Sequence, residues 1–297
     1  TMKSHLGTLD DSLARGLIWA SLWDSCRDGE LSTSDYVAIA LNALKTESDI
    51  SIVAATYIQF ETAIWAYADP AKRDGLRTQV ADATAAMLAA AKPGSDHQMQ
   101  FAKAFANNAI TPSHMEKLKA ILNGSENGLV IDAEIRWYIF ICGVKRGVFT
   151  VADIEAESAK DNTAHGKQYT AYAHAALPTK EAKDAAFKSI TTDNLSNTIH
   201  SYMCRGFNEN IHHELLAGFV DQYFDAILKV WETKGFEIAE TTATLLFPSW
   251  VIGEETVRKA QNWLDVTGKD ASHALRRSVT EGRDAMSRAI KARAADK

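Results

Sequence analysis

The stretch FVDQYFDAILKVW, residues 219–231, is the part of this 297-residue chain that most clearly indicates its fold class. Its apolar side chains recur every three or four residues, which is the period of an α-helix, and they cover much of the helix circumference. A helix that is apolar on so many sides is normally surrounded by other elements. We therefore predict that residues 219–231 form a central helix against which neighbouring helices pack.

Helical periodicity extends to both sides of this stretch, and short turns separate the segments. Asp69 with Pro70 and Thr111 with Pro112 are typical helix starts, because a capping side chain precedes a proline in the first turn. Residues from Ala271 onward predict one long basic helix. Further starts and stops are expected at Gly29, Ser32, Pro93, Asn123, Gly124, Gly147, Thr150, Pro178, Asp193, Gly235 and Pro248.

Strand patterns are nearly absent, since no hairpin signal lies between alternating apolar runs. Helices joined by short turns favour an all-α fold of stacked antiparallel helix pairs, which build a curved superhelix of the HEAT or armadillo kind. No linker rich in proline, glycine or serine divides the chain, so we predict one domain over residues 10–297. Residues 1–9 are interpreted as the remnant of a tag or linker, because Thr1 precedes Met2.

The composition is that of a folded protein, with 46% apolar and 24% charged residues. A net charge of -6 disfavours nucleic acid and anionic membranes as partners. No segment approaches the roughly eighteen consecutive apolar residues of a membrane span, and the first residues carry no signal-peptide pattern. Cys26, Cys142 and Cys204 lie too far apart for a disulfide framework or a zinc ribbon, so we expect a reducing, cytoplasmic location.

Residues 213–217, HELLA, begin like the H-E-x-x-H zinc motif but lack its second histidine. Ala217 stands in that place and has no lone pair to offer a metal. His200 and Cys204 have the spacing of one helix face, and His212 follows them closely. Because His212 and the next histidine should point to different sides, we predict polar residues at a loop and a helix start, and no metal site.

Two arginines are the candidate ligand-binding residues. No G-x-S-x-G elbow and no phosphate-binding G-x-x-x-x-G-K-[ST] loop is present. Arg136 interrupts an apolar stripe, which predicts either a buried carboxylate partner or a position facing a cavity. Arg205 and Gly206 are expected to end a helix, where a cation suits the helix dipole. A guanidinium can hold a carboxylate through two hydrogen bonds, so Arg136 and Arg205 are candidate peptide contacts.

Short motifs occur in a characteristic order along the chain, and the strongest is residues 205–231. The others are residues 11–15, 27–31, 135–137 and 289–293. In this order they resemble the C-terminal helical domain of the M1 zinc aminopeptidases, of the actinobacterial aminopeptidase N type.

The resemblance implies a bowl of paired helices that packs beside the catalytic domain of the same polypeptide and covers its active site. It also implies a peptide substrate that reaches the concave face, zinc only in the catalytic domain, and no cofactor in this chain. The catalytic motifs of the family, H-E-x-x-H and G-x-M-E-N, do not occur in this sequence. No catalytic residue therefore carries over, and we expect the isolated chain to be inactive as a peptidase.

The alternative function is a free-standing α-solenoid scaffold that binds a peptide or protein in its groove. A reading frame that starts near Met2 would favour the scaffold, whereas a frame that includes H-E-x-x-H far upstream of Leu6 would favour the peptidase domain. A domain separated from its partner should also expose an apolar patch larger than a monomer usually shows.

Overall fold

A computed structural model describes residue 6 and residues 9–297. Every regular element within these residues is a helix and none is a strand, so the predicted all-α class is confirmed, and the fold is consistent with a helical solenoid-like domain. The repeat type, HEAT or armadillo, stays a prediction. None of the described helices combines the length and the apolar character needed to cross a membrane. The predicted remnant at residues 1–9 lies almost wholly outside the described residues.

The chain divides into two compact units. Unit 1 contains the residues up to Ile139 together with Arg288–Lys297, and unit 2 contains Phe140–Ser287. The single domain expected over residues 10–297 stays a prediction, because compact units also occur within one domain. The helices that begin in unit 1 are α1 (Ser12–Arg27), α2 (Thr33–Leu44), α3 (Ile50–Thr62), α4 (Arg73–Ala90), α5 (Asp96–Asn108), α6 (Pro112–Leu122) and α7 (Ala133–Val144). Those that begin in unit 2 are α8 (Val151–Ser158), α9 (Ala164–Ala175), α10 (Lys180–Thr192), α11 (Asn197–Phe207), α12 (His213–Leu216), α13 (Val220–Thr233), α14 (Phe236–Leu245), α15 (Glu254–Asp265) and α16 (His273–Ala295).

Helices begin where a side-chain oxygen replaces a missing backbone partner. The Asp11 carboxylate accepts hydrogen bonds from the backbone N–H groups of Leu13 and Ala14, at 2.9 and 3.3 Å, at the start of α1. Ser32 caps α2 and Thr111 caps α6 in the same way. The starts predicted at Ser32 and Thr111 are therefore confirmed.

Glycines in the left-handed region follow several helices. Gly29, Gly124 and Gly147 have φ angles of 74°, 82° and 71°, which confirms the stops predicted at these positions. Gly29 also permits a close approach within unit 1, because a Cβ atom there would lie 3.2 Å from the Cα atom of Ala292.

The last residues of the chain are fastened into unit 1 by a buried carboxylate. Asp296 accepts hydrogen bonds from the backbone N–H groups of Ser34, at 2.8 Å, and Asp69, at 3.0 Å. Arg293 donates from Nε to the carbonyl oxygen of Ala66 at 3.0 Å. The end of α16 thus ties the start of α2 to the turn that precedes α4.

The predicted central helix is α13 in unit 2, and it starts at Val220, one residue later than expected. Tyr223, Ile227 and Val230 are buried as predicted. The opposite face is exposed and carries Asp221, Gln222, Asp225 and Lys229. The polar residues of α13 fall on one side of the helix. The helix is therefore amphipathic, and its apolar surface covers less of the circumference than was predicted from the sequence.

Candidate functional site

Helices α9 and α11 approach each other closely at Gly206. A Cβ atom on Gly206 would lie 2.3 Å from the carbonyl oxygen of Tyr172 and 3.0 Å from the Cβ atom of Ala175. A residue with a side chain does not fit at such a contact. Helix α11 ends at Phe207, one residue beyond the end predicted at Arg205 and Gly206, and Arg205 lies in its last turn. The glycine at this position permits helix packing.

This close approach places two tyrosines and an arginine side by side in unit 2. The rings of Tyr169 on α9 and Tyr202 on α11 meet edge to face, with centroids 5.5 Å apart. Arg205 is exposed, and its guanidinium carbon lies 5.7 Å from the centre of the Tyr202 ring. A cation at this distance from a ring face is stabilised by about 0.5–1 kcal/mol at an exposed site. We call these side chains the Tyr169–Tyr202–Arg205 surface.

A buried ion pair holds the next turn of α9 in place. The Tyr172 hydroxyl donates to one carboxylate oxygen of Glu209 at 2.6 Å, and Lys145 Nζ donates to the other at 3.1 Å. Burial alone would raise the pKa of Glu209. The charge of Lys145 and the hydrogen bonds from Tyr172 and Lys145 lower the pKa by more than burial raises it. Because the resulting pKa lies below the ordinary value, Glu209 is a carboxylate at neutral pH.

His212 is a neutral imidazole next to this ion pair. Its Nε2 atom lies 2.6 Å from the carbonyl oxygen of Lys145, and since a carbonyl only accepts, Nε2 carries the proton. Burial and the charge of Lys183 lower the pKa of His212 to about 4. Nδ1 has no hydrogen-bond partner among residues 6 and 9–297. A second proton on this ring would therefore add a buried charge close to two lysines.

Lys183 on α10 is completely buried and fastens the ends of α9 and α11. Its Nζ atom donates to the carbonyl oxygens of Ala175, Gly206 and Phe207, at 2.7, 3.1 and 3.2 Å. Carbonyls in the last turn of a helix lack partners within the helix and form the negative end of its dipole. Burial lowers the pKa of Lys183 to about 7.

Arg136, the other candidate contact, lies on α7 in unit 1 and is half-buried. Its Nη1 atom donates to the carbonyl oxygen of Leu122, the last residue of α6, at 3.4 Å. At least one N–H group of the Arg136 guanidinium thus already donates a hydrogen bond within the protein. Arg205, which is exposed beside an aromatic ring, is the better placed of the two for a ligand carboxylate.

Two of the side chains considered as metal ligands, His200 and Cys204, lie together in a buried neutral group. His200 and Cys204 lie together on α11, as their spacing predicts, with 3.8 Å between Sγ and the ring nitrogens. The Thr242 hydroxyl lies 3.1 Å from His200 Nε2. Burial lowers the pKa of His200 and raises that of Cys204. Within the described part of the chain, no three His, Cys, Asp or Glu side chains are grouped so that they could hold a metal ion.

Unit 1 contains a cavity of about 670 Å³ between α2, α4 and α5. Its wall is mainly apolar and includes Ala86, Met87 and Phe101. Glu47 at its edge is already bound by Arg15. The cavity is suited to an apolar side chain, whereas the Tyr169–Tyr202–Arg205 surface is suited to an anion.

Arg205 was predicted from the sequence, but the buried Lys145–Glu209 pair that binds Tyr172 on α9 was not. Lys145 and Glu209 are 64 residues apart, and no local pattern links them. Tyr169 and Tyr172, one turn apart on α9, are the available signal, because such a pair of half-exposed aromatic residues marks one helix face.

Comparison with known proteins identifies the family. Residues 1–288 match the family described as ERAP1-like C-terminal domain. The chain is also 40% identical over 298 residues to Aminopeptidase N of Streptomyces lividans. That match covers 99% of this chain and 34% of the relative, so the chain spans about a third of that protein's length. The resemblance predicted from the motifs is confirmed: this chain belongs to the ERAP1-like C-terminal domain family.

Proposed function

We propose that this chain is the C-terminal domain of a longer aminopeptidase, where it caps the active-site chamber and shapes the access of peptides. The observation that carries this proposal is the 40% identity to Aminopeptidase N along 99% of the chain. The catalytic domain of the same polypeptide holds the zinc and releases N-terminal amino acids from peptides. The present chain contributes by excluding water and by selecting peptides that fit. The buried cysteines Cys26, Cys142 and Cys204 suit a cytosolic enzyme.

The Tyr169–Tyr202–Arg205 surface is our proposed contact for the far end of the peptide. The Arg205 guanidinium is held near the Tyr202 ring, so less side-chain freedom is lost when it binds a carboxylate. Such a carboxylate accepts two parallel N–H bonds from one guanidinium. The rings of Tyr169 and Tyr202 offer apolar faces to the last side chain of the peptide. Arg136 has a lesser role, since it already donates to Leu122.

Arg205→Gln in the complete polypeptide tests this contact. The readout is kcat/KM for a long peptide with a free C-terminal carboxylate, for the same peptide as a C-terminal amide, and for an aminoacyl anilide. We expect a roughly tenfold loss, or about 1.4 kcal/mol, for the free-carboxylate peptide alone. The amide and the anilide lack the group that Arg205 would bind, so their values should not change.

Arg277→Gln is the matched control, because Arg277 is an exposed arginine of the same unit that pairs with Glu281 at 2.7 Å. It should leave all three substrates unaffected. An equal loss on the amidated peptide in Arg205→Gln would contradict the carboxylate contact. A complete gene product that starts near Met2, or one that shows no aminopeptidase activity, would overturn the proposed function and favour the scaffold alternative.

A further inference from the structure

Helix α1 has an apolar outer face that the rest of unit 1 does not cover. Leu13 and Leu17 are 72% and 66% exposed, and Leu9, which precedes the helix, is 38% exposed. A single exposed leucine is ordinary, but Leu13 and Leu17 are four residues apart on one face of α1, and the exposed Leu9 precedes them in the chain. We call Leu9, Leu13 and Leu17 the leucine stripe. The opposite face of α1 buries Trp19 and Leu22 in unit 1.

Gly16 borders the leucine stripe, because it is three residues from Leu13 on one side and three residues from the buried Trp19 on the other. A Cβ atom on Gly16 would meet nothing within 4 Å. Glycine destabilises a helix interior relative to alanine, and no contact within the described residues requires it here. A second surface that packs closely on α1 would require such a small residue.

The chain that leads into α1 is held in a fixed position. Arg15 Nη1 donates to the carbonyl oxygens of Leu9 and Asp10, at 2.8 and 3.1 Å. The same guanidinium binds the Glu47 carboxylate, which is buried. These hydrogen bonds fix the segment that carries Leu9 against the start of α1. The leucine stripe therefore lies where the chain leads into α1.

We propose that the leucine stripe, together with Gly16, is the surface on which the preceding part of the same polypeptide docks. This inference rests on the proposed function. The chain corresponds to 34% of Aminopeptidase N and belongs to a family of C-terminal domains, so most of such a polypeptide comes before α1. Leucine and glycine side chains carry no charge and no hydrogen-bonding group, so the docking surface of that preceding part is apolar as well.

Thiol accessibility tests the docking. Leu17→Cys and the control Ile58→Cys are prepared both in this chain and in the complete polypeptide. Ile58 on α3 is a matched control, because it is 68% exposed in the same unit. The native thiols of Cys26, Cys142 and Cys204 are buried, so alkylation reports on the introduced ones. We expect the thiol at position 17 to react at least tenfold more slowly in the complete polypeptide, and the thiol at position 58 equally in both.

Equal alkylation rates at position 17 in the two proteins would overturn the docking proposal. Aminopeptidase activity measured on the same preparations separates the two failures, since an active enzyme with an accessible position 17 retains the proposed function and loses only the docking surface. Sedimentation of the Leu13→Glu, Leu17→Glu double variant of this chain is the second test. We expect a monomer with and without the substitutions. Self-association that the double variant abolishes would assign the stripe to a second copy and overturn the proposal.

Discussion

Each of the two units buries a carboxylate with a cation, but the two clusters differ in how they respond to protons. In unit 1, Arg15 donates from Nε and Nη2 to Glu47 at 3.0–3.2 Å, and the Trp19 indole N–H donates to the same carboxylate at 3.1 Å. In unit 2, the partner of Glu209 is Lys145, whose own carbonyl accepts a hydrogen bond from His212.

The identity of the basic groups makes the difference. Arginine stays protonated at all relevant pH values, so Glu47 is the one member of the Arg15–Glu47–Trp19 cluster that titrates in acid. Burial would raise the pKa of Glu47, but hydrogen bonds from Arg15, the backbone of Asp49 and Trp19 hold it below its ordinary value. The unit 2 cluster includes His212, whose pKa is about 4 in the folded protein. His212 therefore binds a proton less readily in the folded protein than in the unfolded chain. Similar ion pairs thus give the two units different pH responses.

The largest effect is expected for Glu209→Ala. This substitution removes the carboxylate that pairs with the buried Lys145 ammonium, which should lower the free energy of unfolding by roughly 3–5 kcal/mol. Urea unfolding at neutral pH measures it. Glu255→Ala is the control, because the Glu255 side chain is 73% exposed and its pair with Lys259 should contribute little. The double variant Glu209→Ala, Lys145→Met should recover part of the loss, and a failure to recover any would contradict this account.

A smaller loss of stability is expected when His212 is protonated at low pH. Between its ordinary pKa of 6.5 and about 4, the unfolded chain binds more protons than the folded chain, so stability falls as the pH is lowered through this window. The full loss is roughly 3 kcal/mol, and it levels off below the folded pKa. Urea midpoints across this range measure it. In His212→Gln the side-chain amide can still donate to the Lys145 carbonyl but does not titrate, so the slope should become shallower and keep the contribution of His200, whose pKa burial also lowers. Parallel profiles for the two proteins would rule His212 out as the source.

The smallest effect is expected for Glu47→Gln in unit 1. The Arg15 guanidinium keeps its bonds to the carbonyls of Leu9 and Asp10, and the new amide oxygen can still accept. We expect the free energy of unfolding to fall by about 1–2 kcal/mol. The pH profile of this variant above the ordinary glutamate pKa should match that of the unmodified chain. A loss larger than that of Glu209→Ala would reverse the comparison between the two units.

Helix boundaries were predictable because they depend on neighbouring groups. Ser32 and Thr111 cap helices with their own hydroxyl oxygens, and Gly29 and Gly147 end helices with their own backbone angles. The end of α11 near Gly206 was predictable, but the second role of this glycine was not, because a glycine that ends a helix and one that admits another helix look alike in sequence. The carbonyl oxygen of Tyr172, which explains Gly206, becomes visible only when α9 and α11 are packed together.

The candidate site likewise has some features that the sequence predicts and others that only tertiary packing reveals. Arg205 could be selected from sequence as a cation near a helix end, and it is in the last turn of α11. Its ring partner Tyr202 is three residues away, but Tyr169 belongs to another helix. The exposure of Arg205, and the partial use of Arg136 by Leu122, rank the two candidates in a way that no sequence pattern could.

By itself, the sequence determined that this chain is all-α, where many of its helices start and stop, and which family it resembles, because periodicity, caps and motifs are local along the chain. Tertiary structure decided that Lys145 and Glu209 meet and that Lys183 is completely buried. It also decided that His212 stays neutral well into acid. Desolvation and Coulomb interactions depend on distances in space, and packing brings these groups together from separate helices and turns of unit 2.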